Sequence, residues 1–357
     1  MSARSWLETG EHSAASLLAD APVLRVVYAD AELDALLAEP DVLAVLGFGS
    51  NAPTAHSDPR YLRVALEPLQ TPAPFEVWRS SATVVAGHAG NVRYAHDGNL
   101  LFGALEIDEA RFESGAPAES AIAAAAGAGY AELGAFLASS GYPYAQRIWN
   151  YLAAITEGTD DAERYRQFCI GRAKGLPLQT RFPAATAIGT PATSGGKGGR
   201  KLQIYFLAAK SPGTPLENPR QLAAYRYPRQ YGPQPPSFAR AMLAPGTGSA
   251  AGPLLISGTA SVRGHASMHA DDVVAQLDET LLNLRTVLDS ARELQPALPP
   301  AFGEHSLLKV YLRDPSHAAL LEATLRSRLP AGTSLLLLHA EICRAELLIE
   351  IDGFHGV

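Results

Sequence analysis

One order of predicted elements occurs twice between residues 100 and 352, and this repetition limits the fold more than any other feature of the chain. In the second copy, Leu254-Leu-Ile-Ser-Gly258-Thr-Ala-Ser-Val262 reads as a strand that leads through a Gly/His loop into a long helix over 271–294. Val274, Leu277, Leu281, Leu284 and Leu288 recur there at steps of three and four, which keeps one helix face apolar. Leu307-Leu-Lys-Val-Tyr-Leu312 is the next strand, Asp314-Pro-Ser opens a helix reaching about 328, and two strands close the copy. The first copy follows suit: strand 100–107, helix 118–139, strand 147–152, helix 161–174, and closing strands 184–188 and 202–207. The prediction is an α+β fold of two tandem α/β repeats, each a mixed sheet covered by helices on one face. Its division is 1–210 for the first repeat with an N-terminal extension, 211–236 for a connecting segment, and 237–357 for the second repeat.

The last strand carries the most chemistry. In Leu347-Leu-Ile-Glu350-Ile-Asp352, the side chains of Leu347, Ile349 and Ile351 share one face, while Leu348, Glu350 and Asp352 share the other. The Ile349 face belongs in a core, so Glu350 is anchored rigidly among apolar neighbours. A carboxyl held this way stays protonated near neutral pH and can serve as a general acid. The alternative is a solvated edge-strand carboxylate.

The chain has 357 residues, a net charge of −7 and a sequence pI near 5.8. This acidity argues against general affinity for nucleic acid or for an anionic membrane. The first residues lack the apolar core of a secretion signal, and no apolar run approaches the roughly 20 residues of a membrane span. Two cysteines, Cys169 and Cys343, are too few for a disulfide framework or a cysteine-built zinc site, so a cytoplasmic location is expected. Val45-Leu-Gly47-Phe-Gly49-Ser imitates a dinucleotide-binding turn, but the residues after it read as loop where that motif needs a helix. His265 and His269 share a polar loop with no third metal ligand close in sequence, and neither a metal nor a cofactor is expected. Tyr225-Arg-Tyr-Pro-Arg-Gln-Tyr-Gly-Pro233 is too rich in tyrosine and arginine for a plain spacer and suggests a loop packed on a site.

Several strings resemble known proteins. Leu255-Ile-Ser-Gly-Thr-Ala-Ser261, Gln276 and Asn283 on the following helix, Pro236-Ser-Phe-Ala-Arg-Ala241 and Ile349-Glu-Ile351 are similar to the YjgF/reactive-intermediate-deaminase fold, which is chorismate-mutase-like. That family's arginine on the strand before the glutamate is replaced here by Ser334-Leu-Leu-Leu-Leu338, so imine deamination is not implied. Gln146-Arg-Ile-Trp-Asn-Tyr151, Tyr165-Arg-Gln-Phe-Cys-Ile-Gly-Arg172, the Tyr225–Pro233 string and Ile256-Ser-Gly-Thr-Ala-Ser261 together resemble the chorismatases over residues 40–353. That resemblance implies conversion of chorismate to 3-hydroxybenzoate and pyruvate, with some 4-hydroxybenzoate, and Glu350 as the acid that protonates the enolpyruvyl group. It implies Gly258 and Cys343 as pocket residues that select this outcome over hydrolysis to a dihydrodiol. Cys343 is read as a pocket wall, not as a nucleophile.

A substrate with two carboxylates calls for arginine, whose planar fork grips a carboxylate with two parallel bonds. The candidates are Arg147, Arg166 and Arg172 in the first repeat and Arg226, Arg229 and Arg240 around the connecting segment; each alone is also compatible with a surface charge. Tyr205, on the strand equivalent to that of Glu350, and Tyr231 complete the substrate-binding set, and Glu346 is the rival acid. Two competing functions remain at this stage: hydrolysis within the same family, and non-catalytic binding of small carboxylates. Related folds form pockets between subunits, whereas a chain with two copies can build one internally, so a monomer is expected.

Overall fold

The computed structural model describes residues 24–69, 75–113, 120–176, 181–191, 199–246 and 251–357. Residues 1–23, the start of the N-terminal extension, lie outside that set. Its remainder forms a sheet that the repeat pattern did not foretell. Strands β1 (Leu24–Ala29), β2 (Val42–Phe48), β3 (Tyr61–Val64) and β4 (Phe75–Ser80) pair in the order β1-β4-β2-β3, with helix α1 (Leu33–Ala38) between the first two. Gly47 and Gly49 end β2 in a turn and loop with no following helix, so the dinucleotide-like string binds nothing in the way that motif does.

The hairpin β5 (Val85–Ala89) and β6 (Val92–His96) leads into the first repeat: β7 (Leu100–Asp108), α2 (Ala121–Ser140), β8 (Tyr144–Ala153), α3 (Arg164–Gly175), β9 (Ala184–Thr190) and β10 (Lys201–Ala209). Strand β11 (Thr214–Leu216) lies within the connecting segment, and β12 (Ala241–Leu243) follows it. The second repeat is β13 (Leu254–Ala260), the small hairpin β14 (Val262–Arg263) and β15 (Ala266–Ser267), α4 (Val273–Leu294), β16 (Ser306–Leu312), α5 (Ala318–Arg328), β17 (Ser334–His339) and β18 (Ile349–His355). The sheet orders are β5-β6-β7-β10-β8-β9 and β11-β12-β13-β18-β16-β17, the same arrangement twice. In each sheet the last pair is parallel, β8 with β9 and β16 with β17, so both sheets are mixed.

Local signals set the helix ends. Ser120 caps α2 by accepting the Ala123 N–H, and α2 ends at Gly141, whose φ of 79° lies in the left-handed region that glycine tolerates. Asp272 caps α4 by accepting from Val274 and Ala275. Helix α2 is long and apolar enough to span a bilayer by length and hydropathy alone. Here Ile122, Leu133 and Leu137 are buried against the first sheet, as a core helix requires.

Strand alternation then divides the interior. Leu101, Leu105, Ile148, Ile204 and Phe206 face α2 and α3, while Leu308, Val310, Ile349 and Ile351 face α4 and α5. The opposite faces do not meet solvent. Phe102, Trp149, Tyr205, Tyr311, Leu338 and Phe354 join Trp78, Leu46 and Leu62 of the N-terminal sheet in one core shared by all three sheets. The second face of β18 is therefore buried as deeply as the first, and the solvated edge-strand alternative for Glu350 does not hold.

Candidate active site

Within the shared core lies a group of buried charges. Asp352 Oδ2 accepts from Arg147 Nη2 at 3.1 Å, Trp149 Nε1 at 2.9 Å, Thr186 Oγ1 at 2.8 Å and Tyr311 OH at 3.0 Å. Lys309 Nζ stands 3.3 Å from Glu76 and 4.0 Å from Asp352 Oδ1. The four ionic side chains, two of each sign, are fully buried. Mutual pairing offsets the desolvation that an isolated buried charge would suffer.

This arrangement places two expected substrate ligands elsewhere. Arg147 is buried completely, beneath the cavity described below, with its guanidinium bonded to Asp352 and Thr186. Tyr205 stacks on Trp149 with ring centroids 4.7 Å apart, and its hydroxyl meets Tyr151 at 3.1 Å and Lys309 at 3.2 Å. Both serve the core between the repeats. Their residue types suggested substrate contact, but burying a guanidinium requires a buried acid, and Asp352, 205 positions along the chain, supplies it.

A cavity of about 320 Å³ opens between the repeats. Glu350 reaches it from β18, Gly258 and Ala260 from β13, and Thr186 from β9. Glu163, Tyr165, Arg166 and Arg172 come from α3 and its start, Tyr227, Tyr231 and Arg240 from the connecting segment and its end, and Cys343, Arg344 and Glu346 from the link between β17 and β18. The tyrosine-rich string is thus packed along the cavity. Arg226 is exposed beside Tyr225 and does not line it, and Arg229 is exposed in a surface ion pair with Asp161.

Glu350 is 5% exposed. Burial, and then the negative charge of Asp352, push its carboxyl up to about 8, against the opposing pull of Arg147, Arg240 and Arg344. It is therefore mostly neutral at pH 7. The geometry around it is close. The pairing of β13 with β18 slips between Ile256 and Thr259, and a Cβ at Gly258 would collide with Glu350 Oε1. Gly258 leaves space first for the carboxyl of Glu350, a different reason for glycine from extra room for a substrate ring. Cys343 is partly buried in the wall; burial, and then the charge of Glu350, push its thiol up, so it carries no thiolate at neutral pH. Glu346 is exposed at the rim, where its carboxylate accepts from Ser267 at 2.7 Å.

The cationic lining is uneven in its commitments. Arg172 is 4% exposed and lies 5.1 Å over the Tyr130 ring, yet its Nε and Nη2 have no hydrogen-bond partner among the described residues. Arg240 donates to the Leu222 carbonyl and the Tyr227 hydroxyl, both at 2.8 Å, while its Nε is unpartnered. Arg166 lies 3.5 Å from Glu163. Tyr231 carries Arg344 over its ring at 4.0 Å. Arg344 was not singled out in the sequence, although it adjoins Cys343; it donates to the His265 carbonyl and to Ser267, which ties the link between β17 and β18 to the β14–β15 hairpin. Gln276 and Asn283 act behind the wall. Gln276 donates to the Glu346 carbonyl and accepts from Leu348 N–H, both at 2.8 Å, and Asn283 holds the carbonyls of Ala260 and Val262.

Comparison with known proteins agrees with this architecture. Residues 76–208 match the family described as chorismatase FkbO/Hyg5-like, N-terminal. A chorismatase of Streptomyces rapamycinicus is 33% identical over 286 residues, 78% of this chain and 81% of that protein. A 3-hydroxybenzoate synthase of Streptomyces hygroscopicus is 32% identical over 326 residues, 88% of this chain and 91% of the relative. A crystal structure of a chorismatase aligns with a TM-score of 0.76 at 30% identity, covering 94% of this chain and 98% of the other. With two tandem α/β repeats closing a cavity between them, the chain belongs to the chorismatase family.

Proposed function

We propose that this protein converts chorismate to 3-hydroxybenzoate and pyruvate, with some 4-hydroxybenzoate, by proton transfer from Glu350. The reading rests on one arrangement: Glu350, a carboxyl that burial pushes up to about 8, lines a cavity that also holds an arginine with two nitrogens unpartnered among the described residues. Neutrality makes Glu350 a donor; the free donors of Arg172 suit a carboxylate brought by the substrate.

In this scheme Arg172 and Arg240 hold the two carboxylates, with Arg166, Arg344 and Tyr231 completing the electrostatic surroundings. Glu350 protonates the enolpyruvyl methylene. The ether oxygen stays with the three-carbon group as the ketone of pyruvate while its bond to the ring breaks. The adjacent ring hydroxyl attacks the carbon just vacated and forms an epoxide, and its proton returns to the Glu350 carboxylate. The epoxide opens, the ring loses one C–H proton, and the oxygen gains one, giving the aromatic product. Chorismate and the two products balance with no water or electrons added. Arg147 and Asp352, below the cavity floor, act on Glu350 through charge rather than through contact with substrate.

The test is incubation of purified protein with chorismate, followed by chromatographic separation. Hydroxybenzoate and pyruvate in equal amounts are expected. Dihydrodiol in place of hydroxybenzoate would refute the internal displacement, and intact chorismate would leave a carboxylate-binding protein.

A further inference from the structure

Thr186 sits on β9 of the first repeat, and its hydroxyl is fully used. It donates to Asp352 Oδ2 at 2.8 Å and accepts from the Gly258 N–H at 2.9 Å and from the Arg147 guanidinium. A hydroxyl offers one donor and two acceptor positions, so one short side chain joins β8 and β9 of the first repeat to β13 and β18 of the second. The neighbouring Ser257 strengthens the seam by donating to the Ala239 carbonyl at 2.6 Å and accepting from Ala185 N–H at 2.9 Å.

What Thr186 grips matters for Glu350. Gly258 lies at the slip in the β13–β18 pairing, and a Cβ there would meet Glu350 first and Thr186 Cγ2 next, at 3.2 Å. Thr186 and Gly258 therefore form two sides of the slot that the Glu350 carboxyl occupies. Asp352 stands two residues along the same strand and projects from the same face as Glu350. Building on the reading of Glu350 as proton donor, we infer that Thr186 is a positioning residue. Its hydroxyl clamps the Gly258 backbone and Asp352 across the two repeats and so aims the Glu350 carboxyl into the cavity. The role requires a side chain with one donor and two acceptor positions and a short reach; serine satisfies it, and valine, of nearly the same shape, does not.

The groups facing Glu350 are Asp352 on its own strand, Arg147 from β8, Arg240 just ahead of β12, Cys343 and Arg344 from the link, and Tyr165 from α3. Thr186 touches two of them, Asp352 and Arg147. Losing its hydroxyl changes both the slot and the local charge field.

The test compares Thr186→Val with Thr186→Ser in steady-state turnover of chorismate. Thr186→Val should lower kcat at least tenfold, leave KM within threefold, and displace the alkaline limb of the pH–rate profile. Thr186→Ser should stay within threefold of the parent in both constants. A valine variant with unchanged kcat and profile, or a serine variant as impaired as valine, overturns the inference. A second measurement needs no variant: the Gly258 amide should exchange slowly with solvent in the parent protein, and exchange at the rate of an open loop overturns the clamp. Glu350→Gln runs alongside. Normal turnover by Glu350→Gln removes the proposed chemistry itself, whereas an inactive Glu350→Gln with an unimpaired Thr186→Val removes only the role of Thr186.

Discussion

Replacing Glu350 by glutamine should make the protein more stable and inactive at once, and the gain should depend on pH in a calculable way. The folded chain holds the Glu350 proton up to about pH 8, while the unfolded chain releases it near 4.5. Well below pH 4.5 the group is neutral in both states, and glutamine changes little through this route. Above 4.5 the folded state binds the extra proton, so its stability falls as pH rises, by about 1.4 kcal/mol per unit, until about pH 8. Beyond that both states are ionised and the loss stays constant. Glutamine escapes it. Relative to the parent, Glu350→Gln should gain about 3 kcal/mol at pH 7 and about 4 kcal/mol at pH 8.5, compared with pH 4.5. Denaturant unfolding of both proteins at pH 5, 7 and 8.5 measures this, because titrating groups that do not interact with Glu350 cancel in the difference. A difference flat to about 1 kcal/mol across the series would refute the raised Glu350 pKa, and with it the case for a neutral donor.

Other outcomes follow from the same geometry. With chorismate saturating, turnover should be level between pH 6 and 7.5 and fall tenfold per unit above about pH 8, read from initial rates of pyruvate release. Arg172→Lys, which keeps the charge and loses the planar fork, should raise KM about tenfold or more with kcat changed less, in steady-state assays. Gly258→Ala should displace the Glu350 carboxyl rather than unfold the chain. Its melting temperature should stay close to the parent's while kcat drops more than tenfold.

The sequence carried the repeat because each copy must bury its own strand and helix faces, and burial leaves a pattern in the residues themselves. Leu277, Leu284 and Leu288 marked the core face of α4, and the contrast of Ile349 and Ile351 with Glu350 and Asp352 marked the two faces of β18. What covers the second face was not readable. The aromatic layer of Trp78, Trp149, Tyr205 and Phe354 assembles from segments far apart in the chain, and local periodicity says nothing about such meetings. Arg147 misled for the same reason: its acid is Asp352, and no spacing rule links them. Arg172 and Arg240 look no different from Arg226 in composition, yet only the first two turn into the cavity. The N-terminal sheet escaped notice because its helix α1 has only six residues and its strand β2 is buried at every position, which leaves no alternation to read. The exposed strand β5 offers no apolar face to detect.

The shared interior also bears on synthesis. A ribosome delivers Arg147, Trp149 and the aromatic face of β8 and β10 long before β18 emerges. Until Asp352 leaves the exit tunnel, that nascent half holds a cation without its acid and an apolar surface without its cover. The first repeat therefore cannot reach its final packing until β18 has emerged to supply that acid and that cover.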